Sequence, residues 1–231
     1  MMRKQIPNIV TLLNLVSGCI AITMAFGHHF EAAFWWIVVA AGFDFFDGLT
    51  ARALGVSSKL GVELDSLADV VSFGVAPASA LFVLLNTMHI NMPLSAYIPY
   101  LAFIIPAFSA YRLAKFNIDD RQTTSFLGLP TPANGLFWIS YTYAASKYLG
   151  TTSQSLFVGT TIILVLALSI LMVSELPMFS LKIKGFTIKK AIRQIITGAA
   201  IILFVILWGI SGVAAGIIVY ILISLITIKR K

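Results

Sequence analysis

The chain has 231 residues, 59% of them hydrophobic and only 11% charged, with a mean hydropathy of +0.95. Soluble globular domains carry about 25% charged residues, so this composition excludes an ordinary soluble domain and describes a chain that resides in lipid. A single cysteine, Cys19, excludes an intramolecular disulfide and a multi-cysteine metal site, and a net charge of +7 acquires meaning only from where the charges fall.

In chain order, apolar runs lie at about 7–26, 31–51, 66–86, 94–116, 131–149, 154–174, 193–209 and 212–228. Each approaches the ~20 residues a helix needs to cross the hydrocarbon core. One such run could be a buried helix of a soluble protein. Eight in succession predict an all-α integral membrane protein with about eight transmembrane helices. The basic N-terminus, Met1 to Gln5, precedes the first run as in a signal peptide, but no small-residue cleavage site follows, so the run reads as a retained span. Cys19 within it reads as a small buried apolar residue.

The basic residues test the topology. With eight spans, both termini share one side, which collects 15 of the 16 Lys and Arg: Arg3, Lys4, Arg52, Lys59, Arg112, Lys115, Arg121, Lys182, Lys184, Lys189, Lys190, Arg193 and Lys229 to Lys231. The other side receives Lys147 alone. The positive-inside rule places both termini in the cytoplasm, in a multi-pass protein of the cell inner membrane. On this reading the basic residues set topology and meet anionic membrane lipid, and no nucleic-acid surface is expected. Leu181–Arg193 reads as an interfacial stretch or a solvated loop. His28, His29 and His89 fall in external loops, where a metal role carries little weight. Asp119, Asp120 and Arg121 read as a solvated turn.

Four of the nine acidic residues, Asp44, Asp47, Asp65 and Asp69, gather at the end of the second run and the start of the third. A carboxylate at the bilayer centre costs about 2.5–3.5 kcal/mol on insertion scales, less toward the interface, so acids retained in such positions mark function. Asp44 and Asp47 are spaced i,i+3 and Asp65 and Asp69 i,i+4, which puts each pair on one helical face. A turn around Gly55–Gly61 would bring the two faces together. Oxygen donors without His or Cys suit a hard cation such as Mg²⁺ or Mn²⁺, and two ions sharing a carboxylate suit displacement at phosphorus. On spacing alone two other readings stay open: a proton or cation relay in a transporter, and acids paired with Arg52 and Lys59.

The intervening residues narrow the choice. The stretch reads Asp44-Phe45-Phe46-Asp47-Gly48-Leu49-Thr50-Ala51-Arg52, then eight residues, Gly61, three residues, Asp65, three residues, Asp69. This pattern, D-x2-D-G-x2-A-R-x8-G-x3-D-x3-D, resembles the signature of the CDP-alcohol phosphotransferase family without departure. Gly48 and Ala51 leave space for a nucleotide against the second helix, and the Arg52 fork suits a diphosphate. The resemblance implies a homodimer with a six-helix catalytic core, and a CDP-diacylglycerol-type lipid as donor. It implies two divalent ions, Mg²⁺ or Mn²⁺, held by Asp44, Asp47, Asp65 and Asp69, with Asp69 also the general base. It further implies nucleotide contacts at Gly48, Arg52 and, less closely, Ser58. The chain would then divide into a core at 1–175, a basic cytoplasmic or interfacial linker at 176–192, and two additional transmembrane helices with a basic tail at 193–231.

The signature leaves the acceptor alcohol open. Leu64 to Ala78, Arg112-Leu113-Ala114-Lys115-Phe116-Asn117 and Phe126 to Ala133 resemble the branch of the family whose acceptor is L-serine. Glycerol 3-phosphate and an inositol phosphate are the alternatives. Arg112 and Lys115, spaced i,i+3, could hold the serine carboxylate or a lipid phosphate, or could be interfacial cations that snorkel. Gly128, Pro130 and Pro132 read as a stiff loop over the acceptor site, or as the start of a helix.

Overall fold

The computed structural model describes residues 5–56, 58–88, 95–118, 126–148, 154–178 and 188–228. Eight helices run through them, matching the eight apolar runs. Among the described residues, four are by themselves long and apolar enough to cross a membrane: Gln5–Phe26, Phe30–Leu54, Lys59–Asn86 and Gln154–Val173. The chain is an integral membrane protein. The basic termini, most of Leu181–Arg193, and His89, Asp119, Asp120 and Arg121 lie outside the described residues.

Helices α1 (Gln5–Phe26) and α2 (Phe30–Leu54) pack along each other, and the buried face of α1 is small or polar: Pro7, Thr11, Asn14, Gly18, Ala21 and Ala25. Its large apolar side chains, among them Ile9, Leu12 and Val16, point outward. Lipid is as apolar as leucine, so large side chains gain nothing by turning inward, whereas small residues let helices approach closely. This pattern corrects the reading of Cys19, which is exposed. Its neighbour Gly18 takes the buried slot, because a methyl there would collide with Ser72 of the third helix.

Helix α3 (Lys59–Asn86) starts earlier than the apolar run beginning near 66. Ser58, in an extended conformation, accepts a hydrogen bond from the Gly61 N–H at 3.0 Å and so caps one of the unpaired donors of the first turn. The helix widens into a π turn over Val70–Val75. Pro77 accounts for it: the ring has no N–H to donate and crowds the carbonyl four residues back, at Phe73. The widened turn is the centre of the fold. It meets α1 at Gly18. Gly74 lets Pro106 of α4 (Ile104–Ile118) approach, an added methyl lying 3.1 Å from its Cα. On α5 (Thr131–Tyr148), Gly135 sits so close that a methyl would lie 2.7 Å from the Phe73 carbonyl oxygen.

A 3-10 stretch, Ser95–Phe103, leads into α4 and contains Pro99. Helix α6 (Gln154–Val173) packs on α4. A two-residue pairing of β1 (Phe126–Leu127) with β2 (Pro177–Met178) ties the approach to α5 to the end of α6. Helices α7 (Ile188–Trp208) and α8 (Ser211–Ile228) form a hairpin, and α8 packs on α5. There the Ser140 hydroxyl donates to the Ile210 carbonyl at 2.5 Å and accepts from the Ala214 N–H at 3.1 Å. One side chain of α5 thereby holds the turn at Ile210 and the first turn of α8 at Ala214.

Candidate active site between two cavities

The last turns of α2 carry Asp44 and Asp47, and the first turns of α3 carry Asp65 and Asp69. Gly55 ends α2 in the left-handed region (φ 63°), with the N–H groups of Gly55 and Val56 turned back onto the carbonyls of Arg52 and Ala51 at 3.2 and 3.0 Å. This glycine C-cap reverses the chain within a few residues. The result is a gathered set of carboxylates: oxygens of Asp44, Asp47 and Asp65 all lie within 4.8 Å of one another.

Helix α1 orients the set. The Thr11 hydroxyl donates to Asp47 Oδ2 at 2.7 Å, and Asn14 Nδ2 donates to Asp69 Oδ1 at 3.2 Å. Asn14 is itself held by Ser72, whose hydroxyl donates to its backbone carbonyl at 3.0 Å. Asp69 stands outside the group of three, buried to 6% exposure and within the field of the other acids. Thr11 and Asn14 were invisible to motif reasoning. Their signal is positional: with Gly18, Ala21 and Ala25 they recur every three or four residues along α1.

Two cavities meet at the acids. One, of about 440 Å³, is lined by Asn8 and Thr11, by Asp47, Gly48, Ala51 and Arg52, and by Ser58, Gly61 and Asp65. Gly61 is needed for room, since a methyl there would sit 3.0 Å from Ser58 Oγ and 3.2 Å from Asn8 Oδ1, whereas one on Gly48 would meet Arg52 Nη1 at an ordinary contact distance of 3.4 Å. The other cavity, of about 660 Å³, has Asp44, Asp65 and Asp69 at one end and a largely apolar wall from α4, α5, α7 and α8. Pro130 and Pro132 lie in that wall, while Gly128, with a φ of 71°, donates its N–H to Leu176 at 2.9 Å.

Arg112 projects into this second cavity and is only 7% exposed. Its Nη1 donates to Thr131 Oγ1 at 3.1 Å, its Nε has no hydrogen-bond partner, and Asp69 lies within its field. A snorkelling cation would hold its charged end in water; Arg112 does not. Lys115 is placed differently. It pairs with Glu175 at 3.7 Å and is absent from the wall of the large cavity. The two cations share a small recess beside α6, and of the pair it is Arg112 that also lines the large cavity.

Three clustered carboxylates with oxygen donors alone fit a hard divalent ion, which takes carboxylates, waters and phosphate oxygens as ligands. An acidic centre on two adjoining helices, with a glycine-lined recess and a buried arginine beside it, defines a phosphoryl-transfer site set in a membrane bundle. The chain matches the CDP-alcohol phosphatidyltransferase family over residues 4–228 and belongs to it. It is thus an enzyme of phosphatidyl transfer. Among its relatives is a CDP-diacylglycerol–serine O-phosphatidyltransferase from Helicobacter pylori (strain J99), 36% identical over 176 residues that cover 74% of this chain and 70% of the relative. Proteins of the same name from Bacillus subtilis (strain 168) and Methanocaldococcus jannaschii are 35% and 36% identical, covering 61% and 67% of this chain and 77% and 68% of their own lengths.

Proposed function

We propose that the protein transfers the phosphatidyl group of CDP-diacylglycerol to the hydroxyl of L-serine, releasing CMP and phosphatidylserine. The observation that carries this reading is that the acids stand where the two cavities join: Asp65 lines both, and Asp69 lines the second. The first cavity takes the cytidine nucleotide, with Gly48 and Ala51 giving room, Arg52 pairing with the diphosphate and Ser58 at the rim. The diphosphate lies over the acids, and the second cavity takes the lipid end and the acceptor. There Asp69 accepts the proton of the serine hydroxyl as its oxygen bonds to phosphorus and the bond to CMP breaks. Two divalent ions, Mg²⁺ or Mn²⁺, held by Asp44, Asp47 and Asp65 with Asp69 alongside, would supply charge neutralisation of the diphosphate and of departing CMP.

Serine is favoured over glycerol 3-phosphate and inositol phosphate by the names of the relatives and by Arg112. A buried guanidinium with an unpartnered Nε has donor capacity for a carboxylate. Lys115, beside Arg112 in a small recess and paired at 3.7 Å with the exposed Glu175, is the second cation offered to the serine carboxylate or a lipid phosphate. The charge bias of the loops supports a cytoplasmic active site and termini, and the family resemblance supports a homodimer with the six-helix core ending near residue 175. The deciding assay offers purified enzyme CDP-diacylglycerol with each alcohol in turn and measures CMP. Release that requires L-serine supports the reading; release with glycerol 3-phosphate and none with serine replaces the acceptor and leaves phosphatidyl transfer intact.

A further inference from the structure

The hairpin α7–α8 follows the six helices and carries none of the signature residues, so its simplest role is an additional membrane anchor. Its geometry says otherwise. Val213, Ile217 and Tyr220, spaced i, i+4, i+7, form one face of α8, and together with Ile201 of α7 they line the same cavity as Asp44, Asp65 and Asp69. The hairpin is held in register there. Ser140 of α5 bonds to the turn at Ile210 and to the first turn of α8 at Ala214, and Gly216 of α8 lies so close to Ile201 of α7 that a methyl would be 3.0 Å from the Ile201 Cα. Tyr220 is 3% exposed and is the polar group that α8 contributes to this wall, lining the same cavity as Arg112 and Asp69 and close enough to act on the Arg112 charge.

We infer that the α7–α8 hairpin is a wall of the reaction chamber, and that Tyr220 is a positioning residue that holds the Arg112 guanidinium toward the acceptor. The wall closes the apolar side of the chamber, and Tyr220 gives a long flexible cation a fixed direction. A phenol hydroxyl can accept a hydrogen bond from a guanidinium while its ring fills the apolar surface around it. The role of Tyr220 rests on the reading that the acceptor enters this cavity.

Two measurements on the full-length protein test it. In a Cys19→Ser background, Ile217→Cys places a thiol in the wall, and Ile206→Cys places one on the exposed face of α7, where Ile206 is 74% exposed. A small methanethiosulfonate reagent should modify the thiol at position 217, which borders the acidic chamber, and CDP-diacylglycerol should protect it, while the slower reaction of the lipid-facing thiol at position 206, where little thiolate forms, should be the same with and without CDP-diacylglycerol. No reaction at position 217, or reaction indifferent to CDP-diacylglycerol, overturns the wall. This outcome does not depend on which alcohol is the acceptor, so it fails separately from the serine assignment. Tyr220→Phe keeps the ring and removes the hydroxyl. It should raise the KM for the acceptor about tenfold, as expected for a lost hydrogen bond to a charged group, with the KM for CDP-diacylglycerol unchanged. Equal change in both KM values, or loss of thermal stability with unchanged KM values, overturns the positioning role.

Discussion

On the proposed reaction, Asp69 and its three acidic neighbours share a charge but not a task. Asp47 accepts from Thr11, Asp69 accepts from Asn14, and Asp69 lies apart from the carboxylates that come within 4.8 Å. A general base contributes about 10²–10⁴-fold to rate, so Asp69→Asn should lower kcat by that order with the KM for CDP-diacylglycerol little changed. Asp44→Asn, Asp47→Asn and Asp65→Asn should instead weaken metal and nucleotide binding together. Isothermal titration with Mn²⁺ and with CMP, set beside turnover, checks the distinction; equal loss of nucleotide binding in all four would erase it. Arg112→Lys should also be more damaging than its conserved charge suggests. An ammonium cannot donate to Thr131 and to a planar carboxylate with the geometry of the fork, so the KM for serine should rise several-fold. The acids were legible because they are improbable in lipid and fixed in spacing. Thr11 and Asn14 were not, since single hydroxyl and amide side chains in an apolar run are unremarkable until a neighbouring helix supplies their partners.

Elements in this protein are located by hydropathy and joined by small residues. The eight helices among the described residues follow from apolar runs, but the start of α3 does not, because Lys59, Glu63 and Asp65 interrupt its apolar residues and the Ser58 cap marks its first turn. The π turn was equally hidden, although Pro77 inside an apolar run was its visible cause. At that turn Gly135 should tolerate nothing larger. Gly135→Ala would press a methyl onto Phe73 and should destabilise the fold by about 1–3 kcal/mol, the usual cost of overpacking. Thermal unfolding in detergent reads this directly, and unchanged stability would mean that α5 can move away from α3. Ser140→Ala tests the other junction. It leaves the Ile210 carbonyl with the Val213 N–H as donor but strips the buried Ala214 N–H of its acceptor, and should cost about 1–3 kcal/mol for that group. Nothing in the sequence marks Ser140 as different from the other serines, because its partners lie some seventy residues away.

At the scale of the whole molecule, a set of acids collected inside a membrane bundle makes the fold dependent on what neutralises it. A ligand that binds only the folded state stabilises it by about 2.7 kcal/mol at a hundred times its Kd. Mg²⁺ or Mn²⁺ should therefore raise Tm in the absence of any substrate, EDTA should reverse the rise, and Asp65→Asn should reduce it. A Tm indifferent to divalent ions would remove the metal site without reference to activity. The large cavity has a consequence of another kind. Its acids face a chamber walled by Leu136, Ile201, Val213 and Ile217, so one substrate is met in a two-dimensional solvent and the other arrives from water. The amount of lipid per volume of buffer is then the wrong variable for its kinetics. Adding inert detergent or phospholipid at constant total CDP-diacylglycerol should slow the reaction as the mole fraction of the donor in the micelle or bilayer falls. Diluting the whole mixed-micelle suspension with buffer, at fixed serine, divalent ion and mole fraction, should leave the turnover number unchanged.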